Sequence, residues 1–179
     1  MTNEFWEILD TRPVLQHQFI NVELQKVRLP DNRIICDWPK IHTGEYVNIF
    51  VLDSAGHAMV IDGYKHGLGC SCWQLLSGAL DREENPLAGA QRLLQESGYA
   101  TKQWCHLGSF VSHAQLHVGV GHLFLAQNVR PHSQISKDSS IRWVPLVEVR
   151  RALWDGRVRG ISCATGISMG LLALIDIQA

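Results

Sequence analysis

The residues best suited to chemistry lie in one stretch, "SGALDREENPLAGAQRLLQESGYA", from Ser77 to Ala100. It contains Glu83, Glu84, Arg92 and Glu96, with Gly78 at its head. Carboxylates one helical turn apart can aim at a single spot. With waters and phosphate oxygens they hold a hard cation such as Mg2+. A cation so held can neutralise phosphate charge. Here, however, the pair one turn apart is Arg92 and Glu96, and that spacing predicts an ion pair rather than a chelate. Glu84 and Glu83 precede the helix in a loop, within reach of the same region.

The elements that must position these groups are legible around them. Asn85 is a capping residue, Pro86 suits a first helical position, and Gly98 follows the last turn, which predicts a helix over Pro86–Ser97. Leu87, Ala90 and Leu94 fall on one face as its expected core side. Upstream, "FINVELQKVRL" and "RIICDWP" flank "PDN" and read as a hairpin. A second hairpin is expected from "EYVNIFVLD" and "AMVIDGY" across "SAGH". "WCHLGSFV", "HVGVGHLFLAQ" and "SIRWVPL" predict further strands. Two more helices are expected, at about Val147–Trp154 and Cys163–Ile177. Mixed strands, one helix among them and helices at the end define an α+β class.

Composition narrows the possibilities. The 179 residues, 46% of them hydrophobic, suit one domain with a proper core. A net charge of −1 argues against electrostatic capture of nucleic acid or an acidic membrane. No apolar run approaches the roughly 18 residues of a membrane span. The start "MTNEFWEILD" lacks the pattern of a secretory signal. Five cysteines at irregular spacings (Cys36, Cys70, Cys72, Cys105 and Cys163) make a poor disulfide framework, and a reduced, cytoplasmic setting is expected. Cys70 and Cys72 are too close for a usual zinc knuckle, and no second pair follows.

The stretch resembles the box of the Nudix hydrolases, G-x5-E-x7-R-E-U-x-E-E-x-G-U, where U is a bulky aliphatic residue. Gly78, Glu84 and Arg92 match its first half in register. Beyond Arg92 the match slips: Leu93 stands in the place of the first helix glutamate, and Gly98 arrives one residue early. Aligned instead from Gly98, Arg92 takes that place, Gln95 the second and Glu96 keeps the third. Other segments resemble the ADP-ribose pyrophosphatase branch. They are "WEILDTRPVLQHQFINVELQKVRLPDNR", "AMVIDGYKHGLGCSCWQLLSGALD", "LGSFVSHAQLHVGVGHLFLA" and "IRWVPLVEVRRALWDGRV", and they span nearly the whole chain.

The resemblance implies a Nudix fold, an α/β/α sandwich with a mixed central sheet plus N-terminal antiparallel strands. It implies one domain over 1–179, with 1–40 as a dimerisation arm and 41–179 as the core. The implied partners are a nucleotide-type small molecule and a second copy in a homodimer. The implied chemistry is hydrolysis of a nucleoside diphosphate or nucleotide sugar with Mg2+ or Mn2+. Glu84, Glu96 and Arg92 would be the catalytic residues, and Ser77 (through its carbonyl), Glu84 and Glu96 a weakened metal site. Gly78, Lys65 and His117 would contact substrate.

Further departures bear on activity. Asp62, in "VIDGYK", stands where the branch has a phosphate-binding arginine. Val118 and Gly119 stand where a loop acid serves as base or ligand, and a general base is typically worth about 10²–10⁴-fold. His113, His117 and His122 could replace it, or simply occupy polar positions on a loop and strand. Trp73 and Trp104 read as core or interface aromatics; Trp6 and Phe19 could stack on a base or bury an N-terminal arm. Three readings follow: a divergent hydrolase with weak or altered turnover, a lapsed hydrolase that binds a nucleotide or protein, and a structural subunit with a closed pocket.

Overall fold

The computed structural model describes residues 5–132 and 140–176. Three strands come first: β1 (Glu7–His17), β2 (Ile20–Arg28) and β3 (Ile34–Thr43). Then follow β4 (Tyr46–Asp53), β5 (His57–Lys65), β6 (Cys70–Gln74) and β7 (Leu76–Ala79). Helix α1 (Pro86–Glu96) precedes β8 (Tyr99–Ala100), β9 (Gln103–Val111), β10 (Val120–Pro131) and β11 (Ile141–Pro145). Helices α2 (Leu146–Ala152) and α3 (Ile161–Asp176) close the described chain. Among the described residues, those of Met1–Glu45 with Val111–Val120 form one compact unit, and those of Tyr46–Phe110 with Gly121–Ala179 a second.

In the first unit β1, β2 and β3 form an antiparallel sheet in that order. The β2–β3 turn is the expected one: Asn32 takes a positive φ of 66° and its N–H donates to the Leu29 carbonyl at 2.9 Å. β1 gives no alternation to read, because ten of its eleven residues are exposed. Trp6 meets Trp38 edge-on at 5.0 Å, and Phe19 is exposed. Residues 112–119 form a loop, so "HVGVGHLFLAQ" becomes strand only from Val120.

The second unit is organised by β4, "YVNIFVLD", which is buried on both faces as a central strand must be. It runs parallel to β10 and antiparallel to β5 and β7. The mixed sheet continues to β11 beyond β5 and to β8 beyond β10. Side chains alternate across β4. Val47, Ile49 and Val51 join the core beneath α1, with Ala90 and Leu94. Phe50 and Leu52 join the opposite core with Val149 of α2 and Ile167 of α3. Helix, mixed sheet, helix: the α+β class and sandwich layering are as the pattern predicts. Gly170 is the close-approach point on the α3 side, where an added Cβ would run into the Phe50 ring.

Asp53 makes the β4–β5 turn by accepting from the N–H groups of Ala55 and His57 at 2.9 and 2.7 Å. Trp73 is half-buried against the α3-side core, with the Arg157 guanidinium 4.3 Å above its ring. Trp104 packs edge-on to Phe124 at 6.3 Å. The short strands β6, β7 and β8 have too few residues to declare a period. No helix among the described residues is long and apolar enough to cross a membrane.

Candidate functional site

Helix α1 begins as its punctuation predicts. The Asn85 side chain accepts from the N–H groups of Leu87 and Ala88 at 2.9 and 3.3 Å, and Pro86 follows it. Gly98 turns the chain out at φ 89°, its N–H donating to the Gln95 carbonyl. One expectation fails here. Leu87 is exposed, because the buried arc is Gly89, Ala90 and Leu94 with Leu93 beside it, and Leu87 is left at its rim. Leu80 closes over Gly89, where a Cβ would collide with it.

Arg92 projects from this helix into the loop that precedes it. Its Nε and Nη2 donate to the two oxygens of Glu84 at 2.9 and 2.8 Å, a bidentate fork. Nη1 reaches Glu96 at 3.2 Å, and Nη2 also meets the Ala79 carbonyl at 3.4 Å. The Asp81 N–H donates to Glu84 at 3.0 Å. The Arg92 hydrogen bonds, aided by Asp81, push the Glu84 carboxyl down to about 2, and the same contacts raise Arg92. Glu83 stays exposed with φ 63°. Arg92, Glu84 and Glu96 are thus brought together, but as one guanidinium shared by two carboxylates.

Leu93 stands beside this cluster and packs on Gly78, where an added Cβ would lie 2.7 Å from its Cδ2. An isobutyl group therefore lies against Gly78 of β7, which pairs with Val47 of β4. The donors present do not fit a divalent cation. Both Glu84 oxygens are engaged by a guanidinium, and among the described residues no three His, Cys, Asp or Glu side chains converge on a metal position. Asp62 is answered as well, by Arg142 of β11 at 3.3 Å.

Ser77, Gly78 and Lys65 come together elsewhere, in the lining of a cavity of about 620 Å³ within the second unit. Asn48, Gln74, Cys72 and Cys163 line it with them, and Gly160 and Ser162 bring the start of α3. His117 is not among these residues. It lies exposed on the 112–119 loop in the first unit, φ 55°, with its ring 6.0 Å from that of His42. His113 is exposed on that loop too, whereas His122 is buried in the second unit with Nδ1 2.8 Å from the Ser109 hydroxyl.

Sequence reasoning missed Asn48, Gln74 and the α3 start. The one available signal was the asparagine itself, a polar residue inside an otherwise apolar strand. Asn48 is 2% exposed, and its side-chain nitrogen has no hydrogen-bond partner. Gln74 is better placed, donating to the Gly63 carbonyl at 3.1 Å. Burial pushes the Cys163 thiol up, so it stays neutral.

Layers, sheet order and the capped helix that follows β7 define a protein of the Nudix fold. A crystal structure of an ADP compounds hydrolase matches it with a TM-score of 0.83, at 17% identity, over 97% of this chain and 96% of that one. In sequence, the chain is similar to the CMP-5'-(N-acetyl-N-hydroxy-3-aminopropyl)phosphonate hydrolase of Streptomyces rubellomurinus. The two are 24% identical over 170 residues, 93% of this chain and 80% of the relative. No family model matches the chain.

Proposed function

We propose that this protein binds a nucleotide-type phosphate or phosphonate ester in the cavity beside Ser77 and Gly78, on a Nudix scaffold whose metal-dependent hydrolysis is suppressed. One observation carries the reading: the Arg92 fork engages both oxygens of Glu84 and reaches Glu96. Mg2+ or Mn2+ would have to displace a guanidinium that is already paired at no cost in charge. The names of the two relatives, an ADP compounds hydrolase and a CMP-phosphonate hydrolase, support the ligand class. They also favour the second reading, a hydrolase with residual or altered turnover that uses Glu84 and Glu96.

Purified protein with ADP-ribose and a CMP-linked phosphonate, under Mg2+ or Mn2+, separates the two. Saturable nucleotide binding without release of AMP or CMP is expected. Metal-dependent release that disappears in Glu84→Gln and Glu96→Gln would establish the second reading in its place.

The assembly we infer is a homodimer formed through the first unit, in a reducing, cytoplasmic setting. Val14, Leu15, Phe19 and Ile34 are exposed on its strands and turn. Light scattering should give twice the chain mass, falling to one chain mass in a Leu15→Glu/Phe19→Glu double variant.

A further inference from the structure

We propose that the start of α3, Lys65 and Asn48 form an anion subsite for a tetrahedral phosphoryl or phosphonyl group. It lies in the cavity of the nucleotide reading above and rests on that reading for the rest of the ligand. The sheet geometry comes first. Asn48 leaves β4 on the same side as Phe50 and Leu52, whose side chains join the α3-side core. It lines the cavity there, fully buried, with an amide nitrogen that has no partner among the described residues. A buried N–H donor left unmade is costly, and natural structures keep one where a ligand or ion completes it.

Facing it is the first turn of a sixteen-residue helix. The first N–H groups of an α-helix have no intrahelical acceptor, and they carry the positive end of its dipole. Ala164 is the first residue here whose N–H returns to a carbonyl, that of Gly160 at 3.0 Å, which leaves the Ile161, Ser162 and Cys163 donors for something outside the helix. Gly160 keeps this end open, with only the Cys163 sulfur, at 3.9 Å, near an added Cβ.

Charge agrees with the donors. Lys65 is the one charged side chain lining the cavity among the described residues, and no carboxylate lines it. The neutral Cys163 thiol adds no negative charge. Donors from a helix start, an amide and an ammonium that line one cavity without an acid suit a group with several acceptor oxygens, as phosphate and phosphonate have.

Calorimetric titration of the full chain with inorganic phosphate, CMP, AMP and cytidine tests this. Phosphate should saturate below about 10 mM, and cytidine should bind more weakly than CMP. Lys65→Gln, at an exposed position, should weaken phosphate and CMP about tenfold, the loss of one charge-assisted contact. Asn48→Leu should do the same, and in the wild type the Asn48 side-chain amide resonances should move on adding phosphate. Phosphate that fails to saturate, or binds equally well to Lys65→Gln, overturns the subsite. Nucleotide binding that Lys65→Gln leaves unchanged overturns the subsite while sparing the nucleotide reading. Lys65-dependent phosphate binding with no nucleotide binding upholds the subsite and overturns that reading.

Discussion

Two regions flank Ser77 and Gly78 of β7, and they are finished to different degrees. On the α1 side Glu84, Arg92 and Glu96 answer one another: Arg92 donates to Glu84, Glu96 and the Ala79 carbonyl, and Leu93 fills the space over Gly78. On the α3 side an amide nitrogen without a partner among the described residues, a helix start and an ammonium line a cavity to which, among the described residues, no carboxylate contributes. A region whose polar groups are mutually satisfied contributes stability and resists a ligand. A region whose donors are left over gives up stability and awaits one. On the reading proposed above, the ligand belongs to the α3 side and the α1 side is structural.

Removing Arg92 should break this contrast most strongly. Arg92→Ala leaves Glu84 half-buried with its fork lost, and Glu96 without its turn-spaced partner. Thermal denaturation at pH 7 should show a fall of several degrees. Arg92→Lys should recover only part of it, because an ammonium is a point charge and cannot supply a planar fork. If Arg92→Ala melts like the wild type, the α1 side is not held together as described.

The opposite sign is expected on the α3 side. Asn48→Leu replaces an unsatisfied buried amide by an apolar group of similar volume, so it should stabilise the ligand-free protein by about 1–3 kcal/mol. Denaturant unfolding measures it, and added phosphate should narrow the gap by stabilising only the wild type. A destabilised Asn48→Leu would mean that the amide is already satisfied.

These two sites differ in how far the sequence disclosed them. The Glu84–Arg92–Glu96 set was legible because it is local: helix spacing announces the Arg92–Glu96 pair, and the matched box brings Glu84 alongside. Ser77 and Gly78 were legible for the same reason. Lys65 was legible only through the family resemblance, whereas Asn48 and the start of α3 come from separated elements, and only the register of β4 against its neighbours decides which way Asn48 points. Leu87 misled because helical spacing gives an arc but not its rotation. The sequence sets His113, His117 and His122 close together and does not show that the first two belong to one unit and His122 to the other.

Gly78 and Leu93 sharpen the comparison at smaller scale. Gly78→Ala puts a methyl 2.7 and 2.9 Å from the two Leu93 methyl carbons, so Leu93 must turn aside, at a cost of about 1 kcal/mol. In a Leu93→Ala background the same substitution should cost nearly nothing, and a double-mutant cycle by urea unfolding reads the coupling. Additive effects would show that Leu93 does not occupy the turn.

The smallest effect expected is the pH dependence of the Glu84–Arg92 pair. The Glu84 carboxyl ordinarily titrates near 4.5 and is pushed down to about 2 in the folded chain by the Arg92 hydrogen bonds. The unfolded chain therefore takes up this proton first as pH falls, and the folded state loses relative stability. The contribution is full above pH 4.5 and lost as pH falls from 4.5 toward about 2. The pair is partly exposed, with Arg92 35% accessible, so solvent and salt screen it and the effect is modest. The melting-temperature difference between wild type and Glu84→Gln should be constant from pH 7 to 5 and close as pH falls toward 3. A gap that persists at pH 3 would mean that Glu84 acts through its shape and neutral hydrogen bonds, and Arg92 would then be a packed side chain rather than the charge that closes this side of the turn.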